Sequence, residues 1–106
     1  MTQGKIRLAA MLLAASVAMP AFAAGTGELD YKLKCASCHG ADGLAVTSMG
    51  RLWKIASFKD PGQIKLTDAE MIASTTKGKG KMPAYADKLS DAQIKDVVAY
   101  IRKLQK

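Results

Sequence analysis

The chain has little of what usually stabilises a small protein or marks a familiar enzyme class. Its 106 residues include two cysteines, one histidine and one tryptophan, and aromatic residues make up 6% of the total. Residues 8–19 form its apolar run, which is well short of the roughly 20 residues that a membrane-spanning helix needs. No tract alternates apolar and polar residues as a half-buried strand does. These shortages argue against a membrane-embedded body, a β-rich fold and a disulfide-rich scaffold.

Negative charge is also scarce. The chain carries 16 Lys and Arg against 9 Asp and Glu, a formal net charge of +7, and the basic residues are spread along the chain rather than gathered in one tract. With few aromatics and no recognition motif, nucleic-acid binding is a poor interpretation. Two interpretations remain open: a solvated lysine surface, or a basic face that steers docking onto a partner with an acidic surface.

The first 23 residues have the composition of a secretory signal peptide. Lys5 and Arg7 give a positively charged start, and residues 8–19 form the apolar run. Residues 21–23 then place small residues at the positions that a signal peptidase reads. We predict cleavage before Ala24, with Gly25 as the neighbouring option and an uncleaved anchor as the competing reading. One small domain would then remain, residues 24–106, which we expect to be exported to the periplasm with no stable membrane insertion.

Helix signals dominate this domain. Residues 28–34 read as a short helix with Leu29 and Leu33 at i and i+4, and no segment reads as a strand. Capping boxes, in which the first and fourth side chains satisfy each other's backbone amides, mark the starts of two more helices at residues 67–70 and 90–93. The prediction is an all-α domain with long loops, and such loops in so small a domain suggest a cofactor to wrap around.

The final helix carries the clearest periodicity. Its apolar stripe consists of Ile94, Val97, Val98, Ile101 and Leu104. The helix that begins near Thr67 is expected to end at about Lys77, where Gly78 and Gly80 follow. Residues 40–50 are rich in turn-forming residues, and residues 52–58 hold a brief apolar cluster around Trp53.

The chemistry of the chain concentrates in Cys35-Ala36-Ser37-Cys38-His39. Two thiols three residues apart can each add to one vinyl group of a haem, and the adjacent histidine is then placed as the proximal iron ligand. C-x-x-C-H is the attachment signature of c-type haem. Zinc would need a fourth ligand, a thioredoxin-like pair would need a βαβ context, and a disulfide would leave His39 unexplained. We therefore predict one covalent haem c, with iron, attached through Cys35 and Cys38.

The second axial ligand must come from methionine, lysine or water, since His39 is the only histidine. Three methionines of the domain compete, and we expect Met71 and Met49 to pack rather than ligate. Met82 lies in an irregular stretch where neighbouring glycines let the backbone approach the haem and Pro83 holds the preceding residue extended. We predict His39 and Met82 as the metal ligands.

These residues, with others around them, resemble those of the small bacterial class I cytochromes c, monohaem c-type cytochromes. The resemblance covers essentially the whole domain and includes Gly-Lys-Met-Pro-Ala-Tyr around Met82 and Val-Val-Ala-Tyr-Ile at residues 97–101. It implies the class I cytochrome c fold, three to four short helices and loops wrapped around one haem. In that family the first and last helices cross closely, which assigns the crossing here to Gly27, Tyr31, Val97 and Tyr100.

The resemblance implies single-electron transport rather than catalysis. Two protein ligands leave the iron no open position, and His/Met ligation raises the potential relative to bis-histidine haem. The expected partners are periplasmic or membrane redox proteins, with Lys34, Lys79 and Lys81 as candidates for guiding their docking. The alternative is a haem-based enzyme or sensor domain with a displaceable sixth ligand.

One departure from the family pattern concerns the residues behind His39. Family members often carry Gly-Pro-x-Leu about ten residues after the haem histidine, and the proline carbonyl accepts the other ring N–H. This chain reads Met-Gly-Arg-Leu at residues 49–52, so the acceptor is unassigned, with a carbonyl near Gly50 as a candidate. Tyr31, Trp53 and Arg51 complete the candidate haem pocket. Arg51 would pair with a propionate, and the Trp53 indole would donate to one or simply pack.

Overall fold

The computed structural model describes residues 26–106, and the predicted signal segment and its cleavage site lie outside them. In the described part the chain forms six helical segments and no strand: α1 Thr26–Lys34, α2 Ala36–His39, α3 Ser48–Leu52, α4 Pro61–Ile64, α5 Asp68–Lys77 and α6 Asp91–Leu104. The all-α prediction is confirmed. The three expected helices are α1, α5 and α6, and the other three are segments of four or five residues. Over the same residues no helix is long and apolar enough to cross a membrane.

The two predicted capping boxes differ in completeness. At the start of α6 the box is complete, since Ser90 Oγ accepts from the Gln93 amide at 3.1 Å and Gln93 Oε1 accepts from the Ser90 amide at 2.8 Å. At the start of α5 the Thr67 hydroxyl accepts from the Glu70 amide at 3.1 Å, which is half of such a box. Each cap satisfies an amide that has no partner inside its helix.

The first and last long helices cross at a glycine. A Cβ atom at Gly27 would collide with the backbone carbonyl of Asp96 on α6, so only glycine permits this approach. One turn further along α1, the fully buried Tyr31 lies against Tyr100, with ring centroids 5.2 Å apart. Val97 is also buried here, which confirms the crossing that the family resemblance implied.

The buried face of α1 is not the one that its leucines suggest. Leu29 and Leu33 are 57% and 71% exposed, while Gly27, Tyr31 and Cys35 are buried. The buried side of α1 is the one that carries Gly27 and Tyr31, the residues that the family resemblance assigned to the crossing. Close packing against α6 needs a small residue followed by a flat ring, and that arrangement turns the leucines to the opposite side.

Helix α6 supplies most of the core. Ile94, Val97, Val98 and Ile101 are buried as predicted, and each such side chain stabilises the fold by about 1.5–3 kcal/mol relative to exposure. Near its end, Arg102 fastens α6 to the start of α5. Its Nε donates to Asp68 Oδ1 at 2.8 Å, and one terminal nitrogen donates to the Leu66 carbonyl.

Candidate functional site

The Cys-x-x-Cys-His segment forms a tight bend between α1 and α3. The Cys35 amide donates to the Tyr31 carbonyl at 2.8 Å and extends α1, and the amides of Cys38 and His39 both donate back to the Cys35 carbonyl at 3.2 and 2.9 Å. α2 therefore occupies one turn, and Gly40, with φ of +82°, ends it in the left-handed region that favours glycine. The two thiols are free and lie one helical turn apart.

The following loop folds back onto this turn through backbone contacts. The Ala45 amide donates to the His39 carbonyl at 2.8 Å, and the Thr47 hydroxyl donates to the Cys38 carbonyl at 2.8 Å. Thr47 Oγ1 also accepts from the Gly50 amide at 2.8 Å and caps α3. Both carbonyls at the end of the motif are thereby satisfied, and the turn that carries Cys38 and His39 is held in one position.

A cleft with two lobes opens between this motif and the loop after α5. We call the lobe lined by Trp53 and Lys81 the outer lobe, with a volume of about 270 Å³, and the lobe lined by Phe58 and Val97 the inner lobe, with a volume of about 170 Å³. The two lobes share four lining residues: Cys35, His39, Lys79 and Met82. Among the methionines of the described chain, Met82 alone lines both lobes. Met71 lines the inner lobe and belongs to the buried core, as expected, and Met49 lines neither.

Burial sets the ionisation of the motif. Removal from water raises the pKa of the Cys35 thiol to about 11, with a smaller contribution from the nearby Asp30 carboxylate, and it lowers the pKa of His39. The imidazole is therefore held in its neutral form, the form that binds metals. Its Nδ1 is buried and has no hydrogen-bond partner among the residues that the structure describes.

No carbonyl near Gly50 fills that role, because Nδ1 has no hydrogen-bond partner among the described residues; the Gly50 carbonyl accepts from the Ile55 amide at 2.9 Å. A proline cannot stand at this position either. A Cβ atom at Gly50 would collide with the Ala45 carbonyl oxygen and come within 2.9 Å of the Cys38 carbonyl oxygen. The departure from the family pattern thus has a steric cause, since α3 packs its backbone directly onto the segment that follows His39.

Met82 is carried by a short hairpin that is tied down on both sides. Lys79 and Met82 exchange backbone hydrogen bonds at 3.0 and 2.9 Å. Gly78, with φ of +76°, ends α5 and leaves room for the returning Met82 carbonyl, 2.7 Å from where a Cβ would lie. On the far side, the Tyr85 amide donates to the Thr75 carbonyl at 3.0 Å, and the Tyr85 hydroxyl donates to the Lys34 carbonyl at 3.0 Å.

The three remaining candidates of the haem pocket occupy different places. Trp53 lines the outer lobe, and the Lys81 ammonium lies 5.7 Å from its ring centroid. Tyr31 lies in the core behind the motif, where its hydroxyl donates to the Gly40 carbonyl at 2.6 Å. Arg51 is exposed and lines neither lobe. The roles of these residues toward a haem stay predictions.

Sequence reasoning missed Phe58 as a site residue. It was included in the apolar cluster around Trp53, but its ring stacks on the His39 imidazole with centroids 4.6 Å apart and an interplanar angle of 16°. No spacing rule links residues 39 and 58, because an irregular loop separates them. The signal that was present is its position just before the turn at residues 59–62.

Comparison with known proteins gives one consistent family. Residues 22–101 match the family model described as cytochrome c oxidase, cbb3-type, subunit III. Cytochrome c6 of Leptolyngbya boryana is 36% identical over 78 residues, covering 74% of this chain and 88% of that protein. The chain belongs to the small class I c-type cytochromes.

Solved structures support the same assignment for the fold of this cytochrome. The KustC0563 c-type cytochrome superimposes with a TM-score of 0.69 at 29% identity, covering 76% of this chain and 98% of that one. Cytochrome c6 of the diatom Phaeodactylum tricornutum superimposes with a TM-score of 0.60 at 28% identity, covering 76% and 92%. The class I cytochrome c fold and a role in electron transport follow from these relationships.

Members of this family carry one covalently bound haem c with its iron, and the cleft of this cytochrome fits that group. Two free thiols lie one turn apart at its edge, and a half-buried neutral imidazole lines both lobes. The remainder of the inner lobe is mostly apolar, including Leu66, Met71, Val97 and Ile101. A flat apolar macrocycle with one iron-binding axis suits such a lining.

Proposed function

We propose that this cytochrome carries single electrons between redox proteins through a haem iron with His39 and Met82 as axial ligands. Cys35 and Cys38 would hold the macrocycle through thioether bonds. The observation that carries the proposal is the pairing of His39 with Met82, since each lines both lobes of the cleft and they come from segments far apart in the chain. The haem iron supplies the chemistry by alternating between Fe(II) and Fe(III).

The residues of the Met82 hairpin serve this role by restricting movement. The backbone pair with Lys79 and the Tyr85 hydroxyl bond to Lys34 fix the chain on both sides of Met82. A ligand held in this way does not leave readily for an incoming small molecule.

Absorption spectra of the oxidised and reduced protein, with and without carbon monoxide, test the ligation. We expect no carbon monoxide binding at neutral pH, because both axial positions are filled. Met82→Ala should abolish the Met–Fe charge-transfer band and open the ferrous protein to carbon monoxide. Met49→Ala is the matched control, because Met49 lines neither lobe, and should keep the wild-type spectrum.

The opposite result would favour the haem-based enzyme or sensor. That result is ready carbon monoxide binding by the wild type, together with a resting spectrum that Met82→Ala leaves unchanged. Intact mass separates attachment from ligation. Replacing Cys35 and Cys38 together by alanine should remove the covalent haem mass, whereas Met82→Ala should retain it.

Lysines at the mouth of the cleft support a docking role toward acidic partners. Lys34, Lys79 and Lys81 all line the outer lobe, and the latter two are exposed. Charges at such positions raise the encounter rate with an oppositely charged partner, an effect that salt screens over about 8 Å at physiological ionic strength. They are the positions that a partner approaching the outer lobe would meet.

Small redox complexes of opposite charge test this electrostatic role without a known partner. Lys81→Glu should slow electron exchange with ferricyanide, speed it with hexaammineruthenium, and weaken the salt dependence of both. Lys59→Glu makes the same charge change at an exposed residue that lines neither lobe, and should have little effect. Equal effects of the two variants would contradict a localised docking surface.

We infer that the protein acts in the periplasm after removal of residues 1–23, because those residues have the order of features that a signal peptidase reads. Cellular fractionation followed by intact mass measurement tests this. The expected product is a periplasmic protein that begins at Ala24. Recovery of the full-length chain in the membrane fraction would indicate the uncleaved anchor instead.

A further inference from the structure

Phe58 and His39 form the most parallel aromatic pair in the described part of the chain. Their ring centroids lie 4.6 Å apart with planes inclined by 16°, whereas the two contacts of Tyr31 with other rings are tilted by 55° and 57°. Phe58 is 8% exposed and, like His39, lines the inner lobe of the cleft. A face-on contact of this kind restricts how the imidazole can turn about its own axis.

No polar contact performs that task. A metal-bound imidazole usually donates its second ring N–H to a carbonyl or carboxylate, which fixes the plane of the ring. Here Nδ1 of His39 is buried without a hydrogen-bond partner among the described residues. Gly50, where family members carry proline, has its carbonyl bonded to the Ile55 amide and no space for a larger residue.

The phenyl ring is itself held in place from several directions. The Phe58 amide donates to the Gly43 carbonyl at 2.9 Å, and Gln105 Nε2 donates to the Phe58 carbonyl at 3.0 Å. A Cβ atom at Gly43 would lie 3.0 Å from Phe58 Cδ2, so this glycine leaves the ring the space that it occupies. Behind it lies Tyr31, with ring centroids 6.4 Å apart. The backbone of Phe58 is therefore fixed from two sides, and its ring lies between His39 and Tyr31.

We propose that Phe58 is the positioning residue of the proximal ligand, and that its stacking on His39 sets the plane of the axial imidazole in place of a hydrogen bond at Nδ1. The inference rests on the proposed function, in which His39 ligates the iron. Contacts made to an iron-binding side chain are among the means by which a protein tunes a haem.

Paramagnetic NMR of the ferric protein reads the imidazole plane directly. The ligand plane directs the unpaired spin density toward particular pyrrole rings, and the four haem methyl resonances shift accordingly. Phe58→Leu keeps an apolar side chain but removes the flat face, and should change the order of the most strongly shifted methyl resonances and move the midpoint potential. Phe58→Tyr retains the ring and should keep the wild-type order.

Leu89→Ala is the control for general loss of packing. Leu89 is buried in the same core but lines neither lobe, so this variant should lose stability without changing the methyl order. Wild-type methyl order and potential in a folded Phe58→Leu protein would overturn the proposal, as would an equal change in Leu89→Ala. If Phe58→Tyr does not fold, Phe58→Trp provides the flat face.

The ligation itself is checked separately on the wild type. A low-spin ferric spectrum that His39→Gly abolishes, and that added imidazole restores, establishes His39 as the ligand. Failure of that check would refute the proposed function, whereas an unchanged methyl order in Phe58→Leu with the check passed would refute the role of Phe58 alone.

Discussion

Replacing Gly27 by alanine tests the close contact between α1 and α6. An added Cβ would meet the Asp96 carbonyl oxygen and lie 2.6 Å from its carbonyl carbon, and both atoms belong to the backbone of α6. Backbone atoms cannot rotate away as a side chain can, so α1 and α6 must separate. Separation loosens the packing of Tyr31 on Tyr100 and exposes part of the core.

The expected loss is large for a single methyl group. Overpacking a tight contact costs up to about 3 kcal/mol, which for a domain of this size corresponds to a fall in Tm of about 12–24 °C. Thermal unfolding of the haem-loaded protein, followed by circular dichroism, gives the shift. Urea titration at constant temperature gives the free energy of unfolding.

The chain offers a matched control in Gly62. This glycine lies within α4, and a Cβ there would meet nothing within 4 Å. Gly62→Ala should therefore raise the free energy of unfolding by roughly 0.5–1 kcal/mol, because alanine loses less backbone freedom on folding. A Gly27→Ala protein as stable as Gly62→Ala would refute the reasoning about the crossing.

Three further predictions concern single contacts and the cofactor. Tyr31→Phe removes the bond to the Gly40 carbonyl and should cost about 1 kcal/mol. Burial raises the pKa of the Tyr31 hydroxyl above its usual range, so its contribution to the free energy of unfolding is complete below about pH 10 and is lost as the pH rises. In urea titrations above that pH, the free energy of unfolding should fall less steeply for Tyr31→Phe than for the wild type. An identical fall in both proteins would contradict this. Arg102→Lys should lower the free energy of unfolding by about 1 kcal/mol, because an ammonium cannot reach Asp68 and the Leu66 carbonyl together. A urea midpoint equal to that of the wild type would contradict this. Replacing Cys35 and Cys38 by serine should lower the helicity measured by far-UV circular dichroism well below that of the haem-loaded protein, because so small a domain cannot close its core around an empty cleft. Equal helicity in the two proteins would show that the helices form without haem.

The sequence allowed the long helices to be predicted because they depend on local signals, whereas their crossing was implied by the family resemblance. Ser90 and Gln93 are three residues apart, and the stripe of α6 repeats at helical spacing. Hydrophobicity alone would favour burial of Leu29 and Leu33 in α1. The geometry of contact with α6 buries Gly27 and Tyr31 instead, the residues that the family resemblance assigned to the crossing.

The residues of the candidate site likewise differ in whether a local sequence signal predicts them. The residues of the motif are contiguous, and the Met82 stretch has glycine and proline markers of its own. Phe58 has neither, because its contact with His39 depends on how the loop between α3 and α4 returns to the core. Whether His39 Nδ1 has a hydrogen-bond partner likewise depends on backbone packing at Gly50, which no residue spacing reveals.

The crossing of α1 with α6 has a consequence for the order of biogenesis. A polypeptide leaves the ribosome N-terminus first, and α6 is the last of the described helices along the chain. The buried face of α1 therefore has no partner until α6 has also been synthesised. Until then the core that buries Cys35 in the folded protein is incomplete, so both thiols remain accessible for attachment of the haem.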